Sequence, residues 1–163
     1  MRLFLRFAAI FVSAALTACA ATSALEPQHT QLAPRNARIF ILRPGALSGA
    51  AQAVTVKING AKVGSVANDS YLSVDRPPGR YKIEASLPFG LGNEHEAEVE
   101  AGRSYYFVFN SLGTTLASGG LFIHLPGSAM GTKVGSADYL AGSYLGQVDA
   151  GTGAAALSRL KPP

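Results

Sequence analysis

Val54-Thr-Val-Lys-Ile58, Asn59-Gly60, Ala61-Lys-Val-Gly-Ser-Val66 is the stretch on which the fold turns. Apolar residues alternate through Val54, Val56 and Ile58, the period of a strand with one buried face. Asn59-Gly60 then supplies two residues that accept positive φ, which a two-residue type I′ hairpin turn requires. Such a turn pairs Ile58 with Ala61 and Val56 with Val63, so both arms present their apolar side chains on one face.

Outward from the hairpin the texture repeats. Ile39-Phe-Ile-Leu42 is an apolar run of the length of a buried strand. Leu72 and Val74 point the same way in Tyr71–Val74, and Pro77-Pro78-Gly79 forms a stiff turn. Arg80-Tyr-Lys-Ile-Glu84 alternates charge out and apolar in, and Glu94-His-Glu-Ala-Glu-Val-Glu100 places every glutamate on one face. Ser104-Tyr-Tyr-Phe-Val-Phe109 is the most strand-like segment. Short strands separated by Gly, Pro, Asn and Asp predict an all-β fold, a small antiparallel β-sandwich. Leu121–Leu125 reads as one more strand, while residues 126–147 carry no clear period and Gly142 and Gly146 weaken a helix around Tyr139. Ala154–Leu160 predicts a short closing helix, with Asp149 or Thr152 as N-cap and Pro162 beyond its end.

The amino terminus has a different character. Met1–Arg6 is basic, and Phe7–Leu16 is an apolar stretch too short to span a bilayer, the pattern of an export signal over residues 1–18. Leu16-Thr17-Ala18-Cys19 resembles the lipobox of bacterial lipoproteins. That resemblance implies cleavage before Cys19 and acylation of its thiol, and Ala20 in place of aspartate is similar to lipoproteins sorted to the outer membrane. The competing expectation is an ordinary leader cut at an A-x-A-like site, which releases a periplasmic protein. Cys19 is the only cysteine, so an intrachain disulfide is excluded. Ala20–Pro34 is small and polar with two prolines, which predicts that residues 19–36 form a flexible tether before a single domain at 37–163. By flexible-chain scaling such a tether spans about 20 Å.

Composition narrows the partners. The formal charge is +4 over 163 residues, but Arg2 and Arg6 leave with the leader and the other basic residues are scattered among acids. A nucleic-acid partner is not expected, because no basic run tracks a phosphate backbone.

Val54–Gly64, Tyr71-Leu72, Pro77–Ile83 and Ala101-Gly-Arg-Ser-Tyr-Tyr-Phe107, taken in order, resemble a group of bacterial lipoproteins catalogued as a domain of unknown function. They are also similar to PEGA-type envelope modules. The resemblance covers roughly Arg38–Phe109, implies an immunoglobulin-like or transthyretin-like sandwich, and brings no catalytic residues.

Glu94, Glu96, Glu98 and Glu100 offer oxygens for a cation, but carboxylates two apart on a strand stand about 7 Å from one another, too far to close a shell. A cross-strand ladder with Arg80 and Lys82 is the better expectation. His29, His95 and His124 have no metal-ligand spacing, so neither a metal nor a cofactor is expected. Tyr71, Tyr81, Tyr105 and Tyr106 offer an aromatic patch for a glycan or peptide, although Tyr105 and Tyr106 must point to opposite faces, so that at most one joins the core. The Gly-rich residues 112–120 suggest either a hairpin loop or a loop docking on membrane or partner.

The expected function is that of a lipid-anchored, non-catalytic envelope protein, facing the periplasm from the outer membrane and scaffolding or binding another envelope component. The alternatives are an envelope hydrolase or lipid-handling enzyme on the same sandwich, and a structural lipoprotein that self-associates through an edge strand.

Overall fold

The computed structural model describes residues 20–45, 49–88, 92–111 and 143–163. The leader, Cys19, His124, the Leu121–Leu125 strand candidate and the glycine-rich 112–120 loop lie outside the described residues.

The hairpin forms as its turn chemistry dictates. Strands β3 (Val54–Ile58) and β4 (Ala61–Val66) meet at Asn59 and Gly60, whose φ values of 49° and 79° are both left-handed, and Ile58 pairs with Ala61. Further along, the ladder shifts: Lys57 faces Lys62, but Val56 faces Gly64 rather than the expected Val63. The extra residue on β4 resets the pleat, so that Val63 and Val66, three positions apart, are both buried.

In the order of the chain, the remaining elements are β1 (Ser23–Ala24), β2 (Ala37–Arg43), β5 (Ser70–Arg76), β6 (Gly79–Ser86), β7 (Asn93–Val99), β8 (Ser104–Ser111), β9 (Ser143–Val148) and helix α1 (Ala150–Leu157). They build the expected all-β sandwich with a short C-terminal helix. One sheet has the order β1-β4-β3-β6-β7 and is antiparallel throughout. The other has the order β5-β2-β8-β9, in which the central pair β2–β8 runs parallel. Pro77-Pro78 falls between β5 and β6, which lie in different sheets. Two residues without N–H groups cannot extend either ladder, so the stiff turn carries the chain across the sandwich.

The main core lies between the sheets, where Ile39, Ile41, Val54, Val56, Leu72, Ile83 and Phe107 are all fully buried. Each large side chain so buried contributes about 1.5–3 kcal/mol. A second core covers the outer face of the β5-β2-β8-β9 sheet. There Leu42, Tyr106, Val108 and Val148 pack with Phe40, Tyr71, Leu157 and Leu160. Both faces of β2 and β8 are therefore dry, the physical reason their sequences read as continuous apolar runs.

Helix α1 starts after Asp149, the earlier of the two expected N-caps, and ends at Leu157, short of Leu160. Asp149 is the N-cap, its Oδ1 accepting the Thr152 amide at 2.9 Å. Gly153 lies so close over Tyr106 that a Cβ there would overlap the ring, so contact with the sheet outweighs the poor helix propensity of glycine. Residues 143–147, read as aperiodic, form most of β9. The Tyr144 side chain folds over Gly146 and fills the space its missing Cβ leaves.

The expected flexible tether is the largest departure. From Thr22 to Gln31 the segment is fastened along the side of the sandwich, because its polar side chains and backbone meet matching groups on β4, β5 and β2.

Candidate functional site

This strap closes the opening between β4, at one side of its sheet, and β5, at the edge of the other. Thr22 enters first: its Oγ1 accepts the Ala67 amide at 2.9 Å and is hydrogen-bonded to the Ser70 hydroxyl. Ser23 and Ala24 pair with Ser65 and Gly64, and the Leu25 amide donates to the Val63 carbonyl at 3.0 Å. The approach demands glycine at position 64, where a Cβ would sit 2.5 Å from the Ser23 carbonyl oxygen. Gln28 then acts as a substitute strand for β5. Its Nε2 donates to the Ser73 carbonyl at 2.9 Å, and its Oε1 accepts the Ser73 amide at 3.1 Å and hydroxyl at 2.9 Å.

Two ion pairs lock this arrangement. Both carboxylate oxygens of Glu26 accept from the Arg76 guanidinium, at 2.6 and 2.7 Å. Both oxygens of Asp75 accept from Arg38, at 2.6 and 2.8 Å, and the same guanidinium donates to the Thr30 and Gln31 carbonyls. The hydrogen bonds from Arg76 hold the Glu26 carboxyl below its ordinary value, and those to Asp75 raise Arg38 above its own. Apolar burial contributes little, since Leu25, the only large aliphatic side chain between Thr22 and Gln31, is 61 % exposed. Beneath the strap lies an open cleft of about 450 Å³ lined by Glu26, Pro27, His29, Leu32, Pro34 and Asp75.

The strap starts at one end of the sandwich. The β4–β5 turn at Ala67–Ser70, the exit of β2 at Pro44-Gly45 and the chain after α1 converge there. The Lys161 amide donates to the Asp69 carbonyl at 3.1 Å, and the Tyr71 amide to the Lys161 carbonyl at 3.3 Å. A largely apolar recess of about 320 Å³ opens between Pro44, Asp69, Thr152, Ala156, Arg159 and Leu160. Arg43 is buried beside this end with no carboxylate partner among the described residues, its guanidinium donating to the carbonyls of Gly49, Gln52 and Val66. Burial pushes it below the ordinary arginine value. Its chemistry is that of a clamp on the β2–β3 loop.

The candidates read from sequence are dispersed. Arg80 faces Glu98 and Lys82 faces Glu96 across β6–β7, and Lys82 Nζ lies 2.6 Å from the Glu94 carboxylate, so the glutamate row is the expected ladder. Among the described residues no three His, Cys, Asp or Glu side chains come together as a metal site. His29 is exposed at the strap cleft, whereas His95 is half-buried on the inner face of β7, its ring 5.4 Å from that of Phe107. The tyrosines do not form one patch. Tyr71 and Tyr106 flank Phe40 in the second core, with Tyr106 stacked on it at 5.0 Å, and Tyr81 and Tyr105 pack on the main core. Tyr105 and Tyr106 point to opposite faces as expected: Tyr105 is half-buried against the main core, and Tyr106 is buried in a second core that exists because α1 covers that face.

Sequence reasoning missed Glu26, Gln28, Arg38, Asp75 and Arg76. Their partners lie 37 to 50 positions away, and polar residues near two prolines read as a linker. The one local signal was Gly64, a glycine inside a strand, which marks a close backbone approach. No helix among the described residues is long and apolar enough to cross a membrane. No curated protein matches the chain. Residues 34–121, more than half of the chain, match the model of a family described as proteins of unknown function, DUF2846, and the chain belongs to that family.

Proposed function

We propose that this is a lipid-anchored, non-catalytic envelope protein, held through acylated Cys19 at the periplasmic face of the outer membrane, whose sandwich binds or scaffolds another envelope component. One observation carries the reading. The lipobox-like Leu16-Thr17-Ala18-Cys19 ends three residues before Thr22, where the strap is built into the sandwich. Two or three acyl chains at Cys19 give stable anchoring where one is marginal. A binding role rather than catalysis is supported by where the buried guanidinium groups point. Arg38 is spent on Asp75 and the strap, and Arg43 on the Gly49, Gln52 and Val66 carbonyls. The likeness to PEGA-type envelope modules is part of the same reading.

Replacement of Cys19 tests it. In cells fed a fatty-acid analogue the wild-type chain takes up the label and stays with the membrane fraction. Cys19→Ser loses the label and leaves that fraction. Equal labelling of the two chains overturns the anchor, and turnover of ester or cell-wall substrates by the purified domain overturns the non-catalytic role.

A further inference from the structure

The docked strap fixes where the anchor meets the fold, and so which end of the sandwich faces lipid. Ala20 is already half-buried, and Thr22 is bonded to Ala67 and Ser70. Thr22 is three residues beyond Cys19, and three extended residues reach only about 10 Å. A free tether over residues 19–36 would have allowed about twice that distance and any orientation. The end that carries the strap's start holds the Ala67–Ser70 turn, Pro44-Gly45 and the Arg159–Lys161 segment. From there the strap runs the length of the sandwich, past Val63 and Ser73 to Arg76 and Arg38. The opposite end therefore holds the Asn59-Gly60, Pro77-Pro78 and Ala101-Gly102 turns. Strands of seven residues separate the two ends by about 20 Å.

Charge at the near end suits a lipid surface. Arg159 and Lys161 are both exposed, and the acid beside them is Asp69, 3.3 Å from Lys161 Nζ. Arg159 has no ion-pair partner among the described residues. Glu84 and Glu94, on the outer face of the other sheet, are tied to Lys82. Cations that lie within a Debye length of an anionic surface are drawn to it.

We propose that the sandwich stands end-on at an anionic lipid surface. The Ala67–Ser70 turn, Pro44-Gly45 and the Arg159–Lys161 segment meet the headgroups, and the Asn59-Gly60, Pro77-Pro78 and Ala101-Gly102 turns stand furthest out. This rests on the acylation of Cys19 proposed above. The outer end and the Glu94–Glu100 face are then the surfaces left open to an envelope partner.

The test uses the full acylated chain on vesicles of phosphatidylethanolamine and phosphatidylglycerol that contain a nickel-chelating lipid. Spin labels are placed at two exposed positions, Pro162→Cys near the proposed contact and Ala101→Cys at the far end. Relaxation by headgroup nickel is expected to be several-fold stronger at 162 than at 101. Charge reversal by Arg159→Glu with Lys161→Glu lowers the relaxation at 162 while the chain stays on the vesicles. Equal or reversed relaxation at the two labels, or no response to charge reversal, overturns the orientation. The mass of the amino-terminal peptide separates the two claims. An acylated Cys19 with equal relaxation removes the orientation alone, and a mature chain without acyl groups at Cys19 removes the anchor and the orientation with it.

Discussion

The two lateral openings of the sandwich are closed by different chemistry. On the β7–β9 side the edge strands come together directly, with the His95 ring against Phe107 and Asn93 Nδ2 donating to Ser143 Oγ at 2.6 Å. On the β4–β5 side a ten-residue strap bridges the sheets through backbone pairing, one glutamine amide, the bidentate Glu26–Arg76 pair and the Arg38 guanidinium that Asp75 holds in place. The first closure belongs to the strands and joins the buried Asn93–Ser143 hydrogen bond to apolar packing of Ala97, Val99 and Leu145. The second is polar and is borrowed from the segment that precedes the domain. Apolar packing depends on volume, whereas polar closure depends on geometry and protonation state.

Deleting volume from the core beside the first closure should have the largest effect. Phe107→Ala removes a fully buried ring between the sheets and is expected to cost about 3–5 kcal/mol in urea unfolding. A loss below about 1 kcal/mol would mean that the sheets collapse onto the vacancy, contrary to close packing at this site.

On the polar side, Asp75→Ala strips the carboxylate from Arg38, whose side chain is 8 % exposed. Removing one partner of a buried pair costs about 3 kcal/mol or more, because the other charge stays buried. Limited proteolysis should then cut within residues 22–31 before any cut appears in β3 or β6. Cleavage that begins in the strands instead would show that the pair holds the sheets and not the strap.

Gly64→Ala separates strap from core most cleanly. Its Cβ meets the Ser23 carbonyl at 2.5 Å and the Leu72 side chain at 3.0 Å, so the strap must shift while the core yields only slightly. A destabilisation of about 1–3 kcal/mol is expected, the usual range for overpacking. An unchanged denaturation midpoint would place the strap further from β4 than the observed pairing.

Protonation should divide the two sides by pH. Burial holds His95 below the ordinary imidazole value, so the unfolded chain binds the proton more tightly. Stability is then full above about pH 6.5 and falls as pH drops through that value toward the lowered folded pKa. Glu26 is also lowered, by hydrogen bonds from Arg76, and its contribution is present above the ordinary carboxylate range and lost as pH falls through its folded pKa. The β7–β9 side should therefore weaken as pH falls below the ordinary imidazole range, and the strap only below the ordinary carboxylate range. His95→Gln should flatten the first step and Glu26→Gln the second, both read from thermal midpoints across pH. A first step that survives His95→Gln would assign it to another group.

The same contrast explains what could be read from sequence. The β3–β4 hairpin was legible because Asn59-Gly60 states its turn type, and β7 because its glutamates alternate with Ala97 and Val99. The bulge opposite Val56 was not, since a register shift leaves no mark beyond Gly64. Gly153 of α1 is set by Tyr106, a contact formed only after the helix packs on the sheet. The strap was illegible for the same reason that makes it distinctive: Gln28 has no apolar period, and its partner Ser73 is 45 residues away.

Hydrogen exchange at Leu25 on the acylated chain tests the docked strap most directly, because its amide donates to the Val63 carbonyl at 3.0 Å. With the strap built into the fold, the Leu25 amide exchanges at a rate comparable to that of the β4 amides. Exchange at the rate of an unstructured peptide, with β4 still protected, would return residues 19–36 to a free tether.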